Sequence, residues 1–168
     1  MNWRKIMLVG LLASGLGMSG SAAAAGRQAP WQGTVTHVTD GDTLWVQPAR
    51  GGAPRKIRLE GVDAPEICQA YGGLARERLA HHVLGQQVRV MARRKDDYNR
   101  VLARLSLRGQ DIGGWMVTQG LAWSHRYRRD AGPYAAQEAQ ARAQRRGVFG
   151  EARPERPRDF RKRHGACH

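Results

Sequence analysis

The chain has 168 residues, enough for one domain with a real core, and carries 28 lysines and arginines against 14 acidic residues, a formal net charge of +14. So large an excess, mostly arginine, is out of proportion to solubility alone and favours polyanions: nucleic acid first, an anionic membrane surface second. The sequence contains no Walker loop, no G-x-S-x-G elbow and no dinucleotide-binding glycine pattern, which sets aside the nucleotide-hydrolysing, esterase and Rossmann classes.

Residues 1–25 have the form of an export signal. Arg4 and Lys5 make a positive start, an apolar run follows from Ile6 to Met18, and small residues lead to Ala25. The run is too short for a good membrane span, and no cysteine lies near the cleavage region to carry a lipid. A periplasmic or secreted protein, without a stable membrane anchor after cleavage, is expected. Residues 26–30 read as a linker, 31–150 as one domain and 151–168 as a basic tail.

Within the domain, 31–39 is rich in β-branched residues and reads as a strand, followed by the tight turn DGD at 40–42 and a second strand at 43–47. PARGGAP at 48–54 is a hairpin loop. The third strand, 55–60, alternates so that Ile57 and Leu59 point inward and Arg58 points the other way. Ala75, Leu79 and Val83 repeat at helical spacing in 72–84, with Gly85 as a stop. A fourth strand is expected at 86–92, a polar connection at 93–100 and a fifth strand at 101–107. Asp111 can cap a short helix carrying Ile112, Trp115 and Met116. A last helix starts at Pro133 and ends at Gly147. The tail has prolines and six basic residues but no apolar periodicity; disorder is expected there unless Cys167 pins it. The fold class is α+β, mainly β: a five-stranded barrel of the oligonucleotide-binding (OB) type with three helices.

Phosphodiester hydrolysis needs positive charge on the phosphoryl oxygens, a group that deprotonates water, and fixed geometry. RLEGVDAPE at 58–66 packs Arg58, Glu60, Asp63 and Glu66 into nine residues, TDGDT upstream holds Asp40 and Asp42, and DDYNR downstream holds Asp97, Tyr98 and Arg100. Asp42 and Asp63, each beside a turn at a strand edge, are the candidate carboxylate ligands of a hard cation. DGDT is not an EF-hand start, because Leu44 and Trp45 stand where a ligand and a glycine belong. Singly, each residue has an ordinary alternative: turn aspartates, a helix-entry glutamate, surface arginines. Tyr98 and Tyr127 can stack on a base or simply pack. The adjacent His81 and His82 lack the spacing of a metal pair on one helical face and read as solvated or partly packed. Cys68 and Cys167 form an even pair that, in an oxidising compartment, suggests a disulfide; two free thiols are the alternative.

Taken together and in order, DGDT at 40–43, RLEGVDAPE at 58–66, YGGLAR at 71–76, DDYNR-x-LA at 96–103 and QGLAW at 119–123 resemble the staphylococcal nuclease-like, or thermonuclease, family over roughly residues 31–150. The resemblance implies an OB barrel and a calcium-dependent nuclease acting on DNA and RNA, single-stranded or frayed duplex favoured, and leaving 3′-phosphate ends. It implies Asp42, Asp63 and the Ala64 carbonyl as calcium ligands with Asp40 behind them. Glu66 would be the general base, and Arg58 and Arg100 the phosphate clamp. Two positions depart from the family pattern. Asn99 stands where many relatives have glycine, and asparagine tolerates the left-handed backbone required there. Asp97 replaces a basic residue near the terminal phosphate, which argues against tight binding of that phosphate. A monomer without a protein partner is expected. The rivals are a non-catalytic nucleic-acid-binding module on the same fold and a basic envelope protein that binds anionic surfaces without turnover. Arg161, in the tail, is expected to lie outside the site, so Arg161→Ala serves as a control that leaves kcat alone and slightly flattens the salt dependence of binding.

Overall fold

The structure, a computed structural model, describes residues 29–127, 129–165 and Cys167. The expected export signal at 1–25 lies outside the described residues. Among the described residues no helix is long and apolar enough to cross a membrane.

Five strands close the barrel: β1 (Trp31–Val38), β2 (Thr43–Pro48), β3 (Arg55–Leu59), β5 (Gln87–Lys95) and β6 (Val101–Leu107). They run in the order β3-β2-β1-β5-β6, antiparallel at each step, and β3 pairs in parallel with β6 to close the ring. Every strand alternates as a half-buried strand should, with Val35, Leu44, Val46, Ile57, Leu59, Val88, Val90, Ala103 and Leu105 filling the interior. A bulge between Val35 and His37 turns Val38 inward in place of His37. A second bulge lets β5 run on to Lys95, so Arg93 to Lys95 belong to the strand and not to the polar connection expected from sequence. The apolar alternation stops at Ala92 because the later side chains face solvent, while the backbone ladder continues through Arg94↔Leu102 and Lys95↔Val101.

Helix α1 (Gly72–Val83) covers the barrel with Ala75, Leu79 and Val83 wholly buried. Exposed His81 flanks it, and half-buried His82 stacks on Trp115 with ring centroids 4.1 Å apart. A short strand β7 (Gln110–Asp111) leads into α2 (Ile112–Thr118), where Asp111 accepts the Gly114 N–H at 2.8 Å as the expected cap. The two-residue strands β4 (Val62–Asp63) and β8 (Trp123–Ser124) pair with each other. Helix α3 (Ala135–Ala143) ends before the expected Gly147, because Arg145 takes a left-handed conformation (φ 51°) and residues 147–150 form a separate turn of 3₁₀ helix. Glu138 on α3 is buried. It accepts the Ser124 N–H and bonds Arg126 and Arg142, locking β8 to this helix.

The barrel and its three helices match the expected fold, with one addition. The tail folds into a fourth helix, α4 (Pro157–His164). The Cys68–Cys167 disulfide ties its end to the loop before α1, with Cα atoms 5.8 Å apart. This is the pinning on which tail order depended.

Candidate active site

Strand pairing assembles the site. Thr43 pairs with Arg58, so Asp42, one residue before Thr43, lies beside Arg58, and the Leu59 N–H bonds the Asp42 carbonyl at 2.8 Å. The parallel closure pairs Arg58 with Leu102, which places Arg100 at the same barrel end. Asp63 pairs with Trp123, joining the RLEGVDAPE and QGLAW motifs. Two glycines permit the packing. A Cβ at Gly41 would stand 2.7 Å from the Cβ of Ala64 and 2.9 Å from that of Ala75; one at Gly72 would stand 1.8 Å from the Glu66 carbonyl oxygen. The DGD turn and the Glu66 loop can therefore press against α1 only without side chains at these positions.

Arg58 is the hub. Its guanidinium forms an ion pair with Asp42 and reaches Asp63 Oδ1 at 3.5 Å. Asp42 also accepts the Ala64 N–H (3.1 Å) and the Thr43 hydroxyl (3.1 Å). Burial pushes the Asp42 pKa up, but the charge of Arg58 and these hydrogen bonds outweigh it and leave the carboxylate below its ordinary range. Burial likewise opposes the charge of Arg58, and Asp42 and Asp63 more than compensate, so its proton is held more tightly than usual. Asp40 accepts the Asp42 N–H at 2.9 Å. Burial, with the charge of Asp42 added, lifts its pKa from 3.8 to about 6.

Glu66 has its N–H fixed by the side-chain oxygen of Gln69 at 3.1 Å. Asp40, Asp42, Arg58, Ala64, Glu66, Tyr98 and Arg100 line one cleft of about 360 Å³. Arg100 is held by Asp96 at 2.8 Å and lies over the Tyr98 ring at 5.2 Å; Tyr98 itself is exposed at the rim. Asn99 has φ 58°, the left-handed conformation that asparagine tolerates. Tyr127 is not in this cleft. It lines a neighbouring one with Asp63, Trp123 and His125.

The site also contains a residue placed elsewhere by sequence reasoning. Arg161 of α4 is not remote: its Nη1 donates to Glu66 Oε1 at 2.6 Å and to Asp63 Oδ1 at 3.2 Å. Arg161→Ala is therefore no neutral control. Nothing local in the sequence marks it among six basic tail residues; the only available signal was Cys167, whose bridge to Cys68 brings the tail within reach of Glu66.

A family model described as staphylococcal nuclease homologue matches residues 56–151, which span β3 to the end of the 3₁₀ turn and take in Arg58, Asp63, Glu66 and Arg100. The chain belongs to the staphylococcal nuclease homologues. A micrococcal nuclease of Shigella flexneri is 36% identical over 146 residues, covering 80% of this chain and 82% of that protein. Proteins named uncharacterized endonuclease from Haemophilus influenzae and Escherichia coli are each 33% identical, over 128 and 132 residues, covering 76% and 78% of this chain and 71% and 85% of theirs. Arg161 and the rest of α4 lie beyond the matched span, and Asp40 and Asp42 lie before it, so the matched segment carries the Arg58, Glu66 and Arg100 part of the cleft and the flanking residues complete it.

The donor set suits the hard dication that this family implies. Every candidate ligand is oxygen, Asp42 and Asp63 converge on one guanidinium, and burial together with the charge of Asp42 raises Asp40. No group of three or more histidine, cysteine or acidic side chains forms a ready cage among the described residues, so carbonyl and water oxygens would have to complete the coordination.

Proposed function

We propose that the protein is an exported, calcium-dependent nuclease that hydrolyses phosphodiester bonds of DNA and RNA with low sequence specificity and leaves 3′-phosphate ends. The observation that carries this reading is the convergence of Arg58, Asp42, Glu66 and Arg100 on one cleft, from three sequence motifs brought together by strand pairing.

Glu66 Oε1 is bonded to Arg161, while Oε2 has no partner among the described residues and can accept a proton from water. The water oxygen attacks phosphorus, the P–O5′ bond breaks, the phosphate stays on the 3′ side, and the departing 5′-oxygen takes a proton from solvent. Arg58 and Arg100 face the charge that accumulates on the phosphoryl oxygens. A calcium ion held by Asp42, Asp63 and the Ala64 carbonyl, with Asp40 behind, would add positive charge at the phosphoryl group. A disulfide whose partners lie 99 residues apart supports an oxidising compartment and hence export to the periplasm or beyond.

The test is digestion of single-stranded DNA by purified mature protein in calcium and in chelator, with end-group analysis of the fragments. Calcium-dependent cleavage to 3′-phosphates is expected. Undiminished activity in excess chelator would remove the metal from the mechanism, and binding without cleavage would favour a nucleic-acid-binding module.

A further inference from the structure

Beside the catalytic cleft lies a second one of about 540 Å³, whose lining includes Asp63, Arg126, Tyr127, Arg156, Arg158 and Arg161. Arg161 lines both clefts. The second lining sets four guanidinium groups against a single carboxylate, and that carboxylate, Asp63, is already paired with Arg58 and Arg161. Across the cleft, Arg126 shares Glu138 with Arg142, so that cluster retains a net positive charge. Arg156 and Arg158 make no ion pair with any carboxylate among the described residues. Unpaired guanidinium groups facing an open cleft are ready to bind anionic oxygen.

These arginines are held in place. The disulfide anchors the end of α4, Gln69 Nε2 bonds the Glu155 carbonyl at 2.8 Å, Arg163 pairs with Glu155, and Pro157 is buried. Gln69 thus ties the Glu66 loop and the start of the tail helix into one unit, since its side-chain oxygen accepts from Glu66 while its nitrogen donates to Glu155. Fixed donors bind a phosphate without the ordering cost that a loose tail would incur.

We propose that the disulfide-fixed tail carries a second phosphate subsite, in which Arg156 and Arg158, facing Arg126, hold the polynucleotide strand beside the cleft where it is cut. It rests on the nuclease reading for the direction of the strand, and its tail residues lie outside residues 56–151, the span that the family model matches. A strand leaving the catalytic cleft passes Arg161 and enters the second cleft, where Tyr127 is positioned to stack on a base.

The experiment compares the parent, R156A/R158A and the charge-matched control R50A/R89A, whose residues line a separate cavity beside β1. Equilibrium binding of fluorescently labelled dodecathymidylate in chelator is measured over a range of salt, and kcat/KM in calcium is measured on dodecathymidylate and on the dinucleotide thymidylyl-thymidine. R156A/R158A should weaken dodecathymidylate binding by about tenfold or more, the loss expected for charge-assisted hydrogen bonds. It should flatten the log–log salt slope by about one unit. It should also lower the ratio of kcat/KM on the long substrate to that on the dinucleotide by a similar factor. Parent-like binding in R156A/R158A, or an equal loss in R50A/R89A, overturns the subsite. If the parent cleaves neither substrate while the binding contrast persists, the nuclease reading fails and the phosphate subsite stands.

Discussion

Arg58 and Arg161 both reach Asp63, one from a barrel strand and the other from the tail helix. Their supports differ. Arg58 extends from a strand whose neighbours Ile57 and Leu59 are buried, and its side chain is 17% exposed. Arg161 belongs to an eight-residue helix whose only buried residue is Pro157, and its side chain is 36% exposed. The barrel side of the cleft is therefore a consequence of core packing, and every contact that folds the domain also positions it. The tail side is held by one covalent link and a few half-exposed polar contacts. A single reaction site can draw on both kinds of support, but only the second can be released without unfolding the domain.

The largest expected effect falls on the loop between the two sides. Glu66→Gln should lower kcat by about 10²–10⁴, the usual loss for a general base. Arg100→Ala should lower it by at least about 10² through loss of a preorganised charge. Steady-state cleavage of single-stranded DNA checks both; parent-like rates in both variants would show that neither side of the cleft does the chemistry assigned to it.

Cys167→Ser removes the cross-link. In the chain-entropy model a closed loop of about a hundred residues stabilises by roughly 4–5 kcal/mol, and chemical denaturation should register a loss of that order or somewhat less. If midpoint and slope are unchanged, the ion pairs alone hold the tail, and the contrast drawn above is wrong.

The two arginines on Asp63 allow a direct comparison. Arg58→Ala leaves Asp42 buried without its partner and should cost about 3–5 kcal/mol of stability. Arg161→Ala removes a partner that is itself 36% exposed and leaves Asp63 its contact with Arg58, so it should cost less, about 1 kcal/mol. Equal losses in urea titrations would mean that the tail is as much a part of the folding unit as the barrel.

The smallest effect depends on pH. Asp40 binds its proton more tightly in the folded protein, with a pKa near 6 against 3.8, so its contribution to stability is present below about pH 3.8 and is lost as pH rises through 6. In chelator, Asp40→Asn keeps the oxygen that accepts the Asp42 N–H and removes the charge. It should therefore stabilise the protein by roughly 1–3 kcal/mol at pH 8 and by little at pH 4. Thermal melts at the two pH values check this, and equal gains at both would show that Asp40 is not the titrating group.

Much of the protein could be read along the chain because the deciding interactions are local or periodic. Alternation in 31–47, 55–60 and 101–107 reports a half-buried strand wherever it occurs, and Ala75, Leu79 and Val83 report a helical face in the same way. Asp111 followed by an apolar helix is a cap whatever surrounds it. The carboxylates and arginines of the site were visible as well, in motifs whose order resembles the nuclease homologues. Tertiary structure decided what pairs with what. Arg58 meets Asp42 through antiparallel register and nears Arg100 only because β3 closes on β6, a parallel contact between segments more than forty residues apart. The extension of β5 to Lys95 was hidden because a backbone ladder leaves no mark on solvent-facing side chains. The tail is the extreme case. A helix this polar gains too little from burial to declare itself in sequence. The disulfide, formed between cysteines 99 residues apart, together with the Gln69–Glu155 bond, places Arg161 against Glu66 and Asp63.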